Sequence, residues 1–281
     1  MALELRYVVA DVFTDTALTG NQLAVFTDGR EVDDATMQNL AREMNLSESV
    51  FVLPAEQGGH ARIRIFTPVA ELPFAGHPTL GSAFVLAQPL QLSEIRLETG
   101  SGIVPVRLER EGAQITFGWM TQPVPKWRPY ERKDELLQIL GVDSELPVDR
   151  YDLGPSFVYV AMRTADEVAA LKPNFQALME FECGVNCFAP LGGNRWKTRM
   201  FAPSSGVYED PATGSAAGPL AVHLLRHRRI ESGEEIEIEQ GAEVGRPSRL
   251  HARANGTATE IERVEVGGSA VVVARGEFRL P

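Results

Sequence analysis

Apolar residues alternate with polar ones, or run together in short blocks, along most of the chain. Only a few stretches carry a helical period. Arg6–Phe13 and Gln22–Phe26 are rich in Val, Leu and Phe and read as two strands joined by a turn that carries Gly20 and Asn21. In EVDDATMQNLAREMN, the residues Met37, Leu40, Ala41 and Met44 recur at i, i+3, i+4 and i+7, the stripe of an amphipathic helix, with Asp33 or Asp34 as its cap. The chain then turns through Leu46, Ser47 and Glu48 into a strand ending at Leu53. Further strands are expected at Ala61–Phe66, Ile95–Glu98, Ile103–Leu108, Gln114–Trp119, Phe157–Met162, Val185–Phe188 and Trp196–Phe201, and over most of Glu235–Leu280. Asp134–Leu140 reads as a helix stopped by Gly141, and Asp166–Leu171 as one broken at Pro173. The proline-rich, aperiodic stretch Thr121–Pro129 is the expected linker, dividing the chain into residues 1–122 and 123–281, with the last strand free to stay in the second half or return to the first.

An internal echo crosses that division. RIFTP (Arg64–Pro68) returns as RMFAP (Arg199–Pro203). Each is followed by a loop and a glycine-led segment, GHPTLGSAFVLA from Gly76 and GSAAGPLAVHLL from Gly214. Both segments are apolar nearly all round, and a helix with no polar face is a buried one. The pattern predicts an α/β chain of two similar halves, each wrapping strands around one central helix.

The first N–H groups of such helices lack intrahelical partners, and Gly76 and Gly214 would let a ligand approach them. If the halves face each other, both helix starts can serve a small carboxylic acid. The residues leave the opposite reading open, with Thr79 or Thr213 capping the helices internally. Polar groups gather at the same loops: Glu48 in NLSESVF, His77 after Gly76, and Asp210 and Ser215 in YEDPATGSAAG. A carboxyl among Leu, Ser, Val and Phe suits general acid–base chemistry. Taken singly, Ser47 and Glu48 also fit an exposed turn, His77 a satisfied core histidine, and Asp210 a helix cap.

Bulk properties remove several function classes. The formal net charge of −11 argues against nucleic acid and anionic membrane as partners. No apolar run approaches the roughly 20 residues that span a bilayer, and the N-terminus reads as a strand, so a cytoplasmic location is expected. Cys183 and Cys187 form no metal-site framework, and His223 and His227, four apart, sit in no metal-binding motif, so packing is expected for the cysteines and packing or surface roles for the histidines. No phosphate loop, dinucleotide fingerprint or nucleophile elbow is present.

Six segments carry a resemblance to a known family: GNQLAVF (Gly20–Phe26), AREMNLSESVFVL, IRIFTPVAELPFAGHPTLG, NCFAP, RWKTRMFAP and EDPATGSAAGPLA. Together they resemble the PhzF family of phenazine biosynthesis, whose fold is similar to that of diaminopimelate epimerase. The resemblance implies two pseudo-symmetric halves, each a curled, mostly antiparallel sheet or barrel around a central buried helix. It implies a homodimer and a cofactor-independent isomerase, converting trans-2,3-dihydro-3-hydroxyanthranilate to an aminoketone phenazine precursor. By motif, Glu48 matches the family's proton-transferring glutamate, and His77, Asp210 and Ser215 its other active-site positions; Glu48, His77 and Asp210 are expected to be catalytic, and Ser215, Gly76, Gly214, Asn21 and Ser47 to bind the substrate. The paired thiols of the epimerases are not matched: their loops hold AGH and DPATG.

Overall fold

The computed structural model describes residues 3–280, and the chain divides into two compact units. One runs to Thr121 and takes in the chain from Gly267 onward; the other is Gln122–Val266.

In the first unit, β1 (Leu3–Val12) and β2 (Asn21–Phe26) form an antiparallel pair. Their connection ends at Gly20, whose φ of +69° and closeness to Val12 O, 2.5 Å from where a Cβ would sit, exclude a side chain. Helix α1 (Asp34–Met44) begins at Asp33, whose carboxylate accepts from the Thr36 N–H at 2.7 Å, and buries Met37, Leu40 and Ala41 of the expected stripe. It carries the chain to β3 (Glu48–Leu53), parallel to β2. Strand β4 (Ala61–Phe66) returns antiparallel to β3, and the two-residue β5 (Glu71–Leu72) folds back on it. Helix α2 (Gly76–Leu90) crosses over to β6 (Glu94–Thr99), parallel to β4, and β7 (Gly102–Glu111) and β8 (Gln114–Gln122) complete the meander. Residues Gly76–Phe84 of α2 are buried throughout.

The second unit repeats this pairing scheme strand for strand. It contains β9 (Lys126–Pro129), α3 (Lys133–Leu140), β10 (Asp149–Asp152), β11 (Ser156–Ala161), α4 (Ala165–Ala169), α5 (Phe175–Leu178), β12 (Gly184–Gly192), β13 (Arg195–Ala202), β14 (Val207–Asp210), α6 (Gly214–Arg226), β15 (Glu235–Gln240), β16 (Ser248–Gly256) and most of β17 (Ile261–Gly268). β11–β12 is parallel as β2–β3 is; β12–β13 and β13–β14 are antiparallel as β3–β4 and β4–β5 are; β13–β15 is parallel as β4–β6 is. Gly214–Leu225 of α6 are buried without interruption. The expected linker is partly ordered sheet: β8 runs through Gln122, and β9 pairs along β10 with Pro129 opposite Asp149. Proline is tolerated there because a strand edge leaves an N–H unneeded.

The position that β9 fills beside β10 is filled in the first unit by the last strand of the chain, β18 (Ala270–Leu280), which pairs along the whole of β1. Phe278 packs 5.4 Å from Tyr7 and 5.9 Å from Phe26, joining the aromatic row Phe26, Phe51, Phe66. Among the described residues no pairing joins β8 to β18, so this sheet is curled and open, not a barrel.

The echoed arginines show why the repeated motif persists. Arg64 grips Glu71 through Nε and Nη2, both at 2.7 Å, and its guanidinium lies 5.1 Å over the Phe66 ring. Arg199 grips Glu209 at 2.9 and 2.7 Å and lies 5.1 Å over Phe201. In each unit the arginine ties the strand before the central helix to the short strand that feeds it.

Candidate active site

Glu48 opens β3, opposite Leu23 of β2 and one residue beyond the half-buried Ser47. Its side chain is 14% exposed, and Oε2 lies 3.2 Å from Nδ1 of His77, which is 3% exposed in the first turn of α2. The imidazole Nε2 is 3.3 Å from the carbonyl of Gln22. That oxygen can only accept, so Nε2 carries the hydrogen and Nδ1 turns its lone pair toward Glu48. The Asn21 amide approaches the same Nδ1 at 3.5 Å. Burial drives the His77 pKa down to about 3, against a smaller opposing pull from the Gln22 carbonyl. At neutral pH the ring is therefore uncharged, so its approach to Glu48 is not an ion pair; it becomes a hydrogen bond when the carboxyl carries a proton that Nδ1 can accept.

The register of the repeat places Gly184, first residue of β12, where β3 has Glu48: the echoed arginines lie opposite Phe51 in one unit and Cys187 in the other, and counting back three residues gives Glu48 and Gly184. A Cβ at Gly184 would come within 2.8 Å of the Phe157 ring. The second unit thus has no acid at the corresponding position.

What the second unit offers instead is the turn from β14 into α6. Asp210 is buried, and its Oδ2 accepts from the Thr213 hydroxyl at 2.6 Å. Ser215 is buried in the first turn of α6. The helix start is held by Gln122, which donates to the Gly214 carbonyl at 2.8 Å, and by the Tyr159 hydroxyl, which donates to the Ala216 carbonyl at 2.6 Å.

Neither central helix carries a side-chain cap. Thr79, a possible internal cap, donates to the Ala75 carbonyl, and Thr213, the other, to Asp210. The first-turn N–H groups around Gly76 and Gly214 thus keep the donor capacity that the anion-binding reading needs.

The structure brings Glu48, His77 and Asn21 together in the first unit, and Asp210, Gly214 and Ser215 together in the second. Asn21 faces His77. The cysteines are buried free thiols. Ligand atoms of His223, His227 and Asp149 lie within 4.8 Å of one another, yet the Asp149 oxygen that meets His227 also accepts from Arg226 at 2.7 Å, so a guanidinium already neutralises it. Gln240, absent from the motif reading, reaches the Asp210 turn from the end of β15. Its signal was in EIEIEQ: Gln240 continues the inward parity of Ile236 and Ile238, and an amide on an apolar face requires partners.

Two open, internally repeated units with a buried central helix each define an epimerase-like fold. A hydroxyproline epimerase from Agrobacterium vitis shares it with a TM-score of 0.66 at 12% identity, covering 99% of this chain and 93% of that one. A solved structure described as a predicted epimerase from Pseudomonas aeruginosa matches with a TM-score of 0.83 at 31% identity, over 98% and 99% of the two chains. The chain belongs to the PhzC-PhzF family, described as phenazine biosynthesis-like protein, whose profile matches residues 10–276. It is 50% identical over 277 residues, 98% of this chain and 99% of the relative, to a trans-2,3-dihydro-3-hydroxyanthranilate isomerase of Pseudomonas aeruginosa. No described helix is long and apolar enough to cross a membrane.

Proposed function

We propose that this protein is an isomerase of trans-2,3-dihydro-3-hydroxyanthranilate, with Glu48 as its general base and acid. The observation that carries the reading is the contact between a nearly buried carboxyl and a neutral, fixed imidazole, in a chain half identical to an enzyme named for that reaction. Glu48 takes the proton from C3 of the substrate and returns it at C1; the resulting enol becomes the ketone. One proton leaves and one is delivered, so no oxidant or reductant is consumed. The Nδ1 lone pair of His77 accepts from Glu48 once the carboxyl is protonated, steadying the acid between the two transfers. Charge that spreads toward the substrate carboxylate is met by helix-start N–H donors. Asp210, Ser215, Gly214, Gly76 and Ser47 are assigned the amino, hydroxyl and carboxylate groups, with Asn21 orienting His77. Holding the substrate so that one carboxyl reaches both carbons supplies the orientation term. A homodimer in the cytoplasm belongs to the same reading; sedimentation velocity tests the first point.

The decisive experiment is incubation with the substrate under ultraviolet observation, with Glu48→Gln alongside. The wild type is expected to change the spectrum, and the variant to bind but lose turnover by at least about 10³-fold, the scale of a lost general acid–base group. A variant that keeps more than a tenth of the rate removes Glu48 from its role. A wild type that binds the acid and leaves it unchanged points to another small amino or hydroxy acid, the reading that relatives named only as uncharacterised isomerases at 30–34% identity would share.

A further inference from the structure

Gln240 is the last residue of β15 and is buried. Its amide uses every hydrogen-bonding capacity it has. Nε2 donates to the Asp210 carbonyl at 2.7 Å and to the Thr213 hydroxyl at 3.0 Å. Oε1 accepts from the Thr198 hydroxyl of β13 at 3.2 Å and from the Thr213 N–H at 3.4 Å. The orientation of the amide is fixed by chemistry, because the Asp210 carbonyl only accepts and the Thr213 N–H only donates. Thr213 then passes its own hydroxyl hydrogen to Asp210 Oδ2 at 2.6 Å.

We propose that Gln240 is a positioning residue for the isomerisation: through Thr213 it sets the Asp210 carboxylate and the first turn of α6. The inference rests on the functional reading above, in which Asp210 and that helix start meet the substrate. One side chain grips both ends of the four-residue turn Asp210–Thr213, so the turn cannot open without breaking the amide's bonds. The run Gln240 to Thr213 to Asp210 is a directed relay of donors. It ends on one carboxylate oxygen with the hydroxyl rotor locked, so Asp210 is held as an acceptor aimed by its neighbours. A misplacement of about 1 Å in such a group costs on the order of 10² in rate, whereas loss of two neutral hydrogen bonds costs the fold far less than global unfolding.

The test compares Gln240→Glu, Thr213→Val and Thr213→Ser with wild type. Gln240→Glu sets an acceptor against the Asp210 carbonyl; Thr213→Val breaks the relay without touching Gln240; Thr213→Ser keeps the hydroxyl. For the first two, kcat is expected to fall roughly 10- to 100-fold with KM changed less than about threefold, while Thr213→Ser stays near wild type; the melting temperature stays within a few degrees of wild type in Thr213→Val and falls further in Gln240→Glu, whose buried carboxylate gains no cation. Hydrogen exchange in the 207–216 peptide is expected to rise in Gln240→Glu and not elsewhere in the second unit. The proposal is overturned if Thr213→Val, folded, keeps kcat within about twofold of wild type, or if Thr213→Ser loses as much as Thr213→Val. Should the wild type fail to turn over the substrate, the functional reading falls. Unchanged exchange in that peptide would then overturn the positioning role by itself.

Discussion

Removing Arg199 and removing its repeat counterpart Arg64 should have very different consequences, although both arginines make the same two-pronged contact with a glutamate. Arg199 and Glu209 are 7% and 8% exposed, and the remaining Arg199 nitrogen donates to the carbonyls of Leu171, Ala169 and Val168 at 2.8, 3.2 and 3.3 Å. Arg199→Ala leaves a carboxylate buried without its cation and three carbonyls without that donor. Breaking a buried pair in this one-sided way costs about 3–5 kcal/mol. Arg64 pairs with Glu71 and Asp34, which are 43% and 84% exposed, and water takes over when the guanidinium is gone. Exposed pairs contribute about 0–1 kcal/mol, with about as much again for the contact over Phe66. Arg199 loses the same kind of contact over Phe201, so the ring contributions cancel and the gap between the variants should be about 2 kcal/mol or more. With a urea slope of about 1–3 kcal/mol per molar, it appears as a midpoint difference near 1 M. Urea titrations read by circular dichroism, and by fluorescence of Trp196 beside Phe188, supply the measurement. Arg199→Met with Glu209→Leu, which removes both charges, should recover most of the loss. If Arg199→Ala costs less than about 1 kcal/mol, or no more than Arg64→Ala, burial is not what separates the two copies of the motif.

Two more outcomes follow from the same geometry. His77 is held neutral down to about pH 3, whereas an unfolded histidine takes its proton near 6.5. The unfolded state binds that proton first, so stability should fall as pH drops from about 6.5 toward 3, by up to about 1.4 kcal/mol per unit from this group. In His77→Gln that part of the slope should be missing, and parallel stability–pH curves for the two proteins would contradict the assignment. Gly184→Ala should cost roughly 1–3 kcal/mol, because its Cβ would press on the Phe157 ring at 2.8 Å and the Met200 sulfur at 3.1 Å; an unchanged urea midpoint would argue against that crowding.

The parts of the fold legible in the sequence are those that local physics decides. The Met37–Leu40–Ala41 stripe sits where the 3.6-residue period puts it, and Asp33 was one of two candidates for its cap because each side chain can reach back to a first-turn N–H. The two buried helices announced themselves by lacking a polar face. What stayed hidden depends on distant partners. Glu71–Leu72 and Val207–Asp210 are too short to show a period and exist only against β4 and β13. Lys126–Pro129 reads as loop because of its proline, and only pairing with Asp149–Asp152 makes it a strand. At the site, Glu48, His77 and Asp210 stood out by residue type and motif. The neutral state of His77 could not be read there, since it comes from burial that outweighs the opposing pull of the Gln22 carbonyl 55 positions away.

The strand at the far end of the chain has a bearing on synthesis. Residues 270–280 zip onto β1, which is synthesised far ahead of them. The lobe that holds Glu48 must therefore wait, with an open edge, until residues 270–280 are made, while the lobe of residues 122–266 has all its own pieces sooner. A nascent chain stalled before residue 270 would present that bare edge to neighbouring molecules. Cutting the chain before Phe278 would weaken Leu3–Leu5 on β1, not the sequence next to the cut.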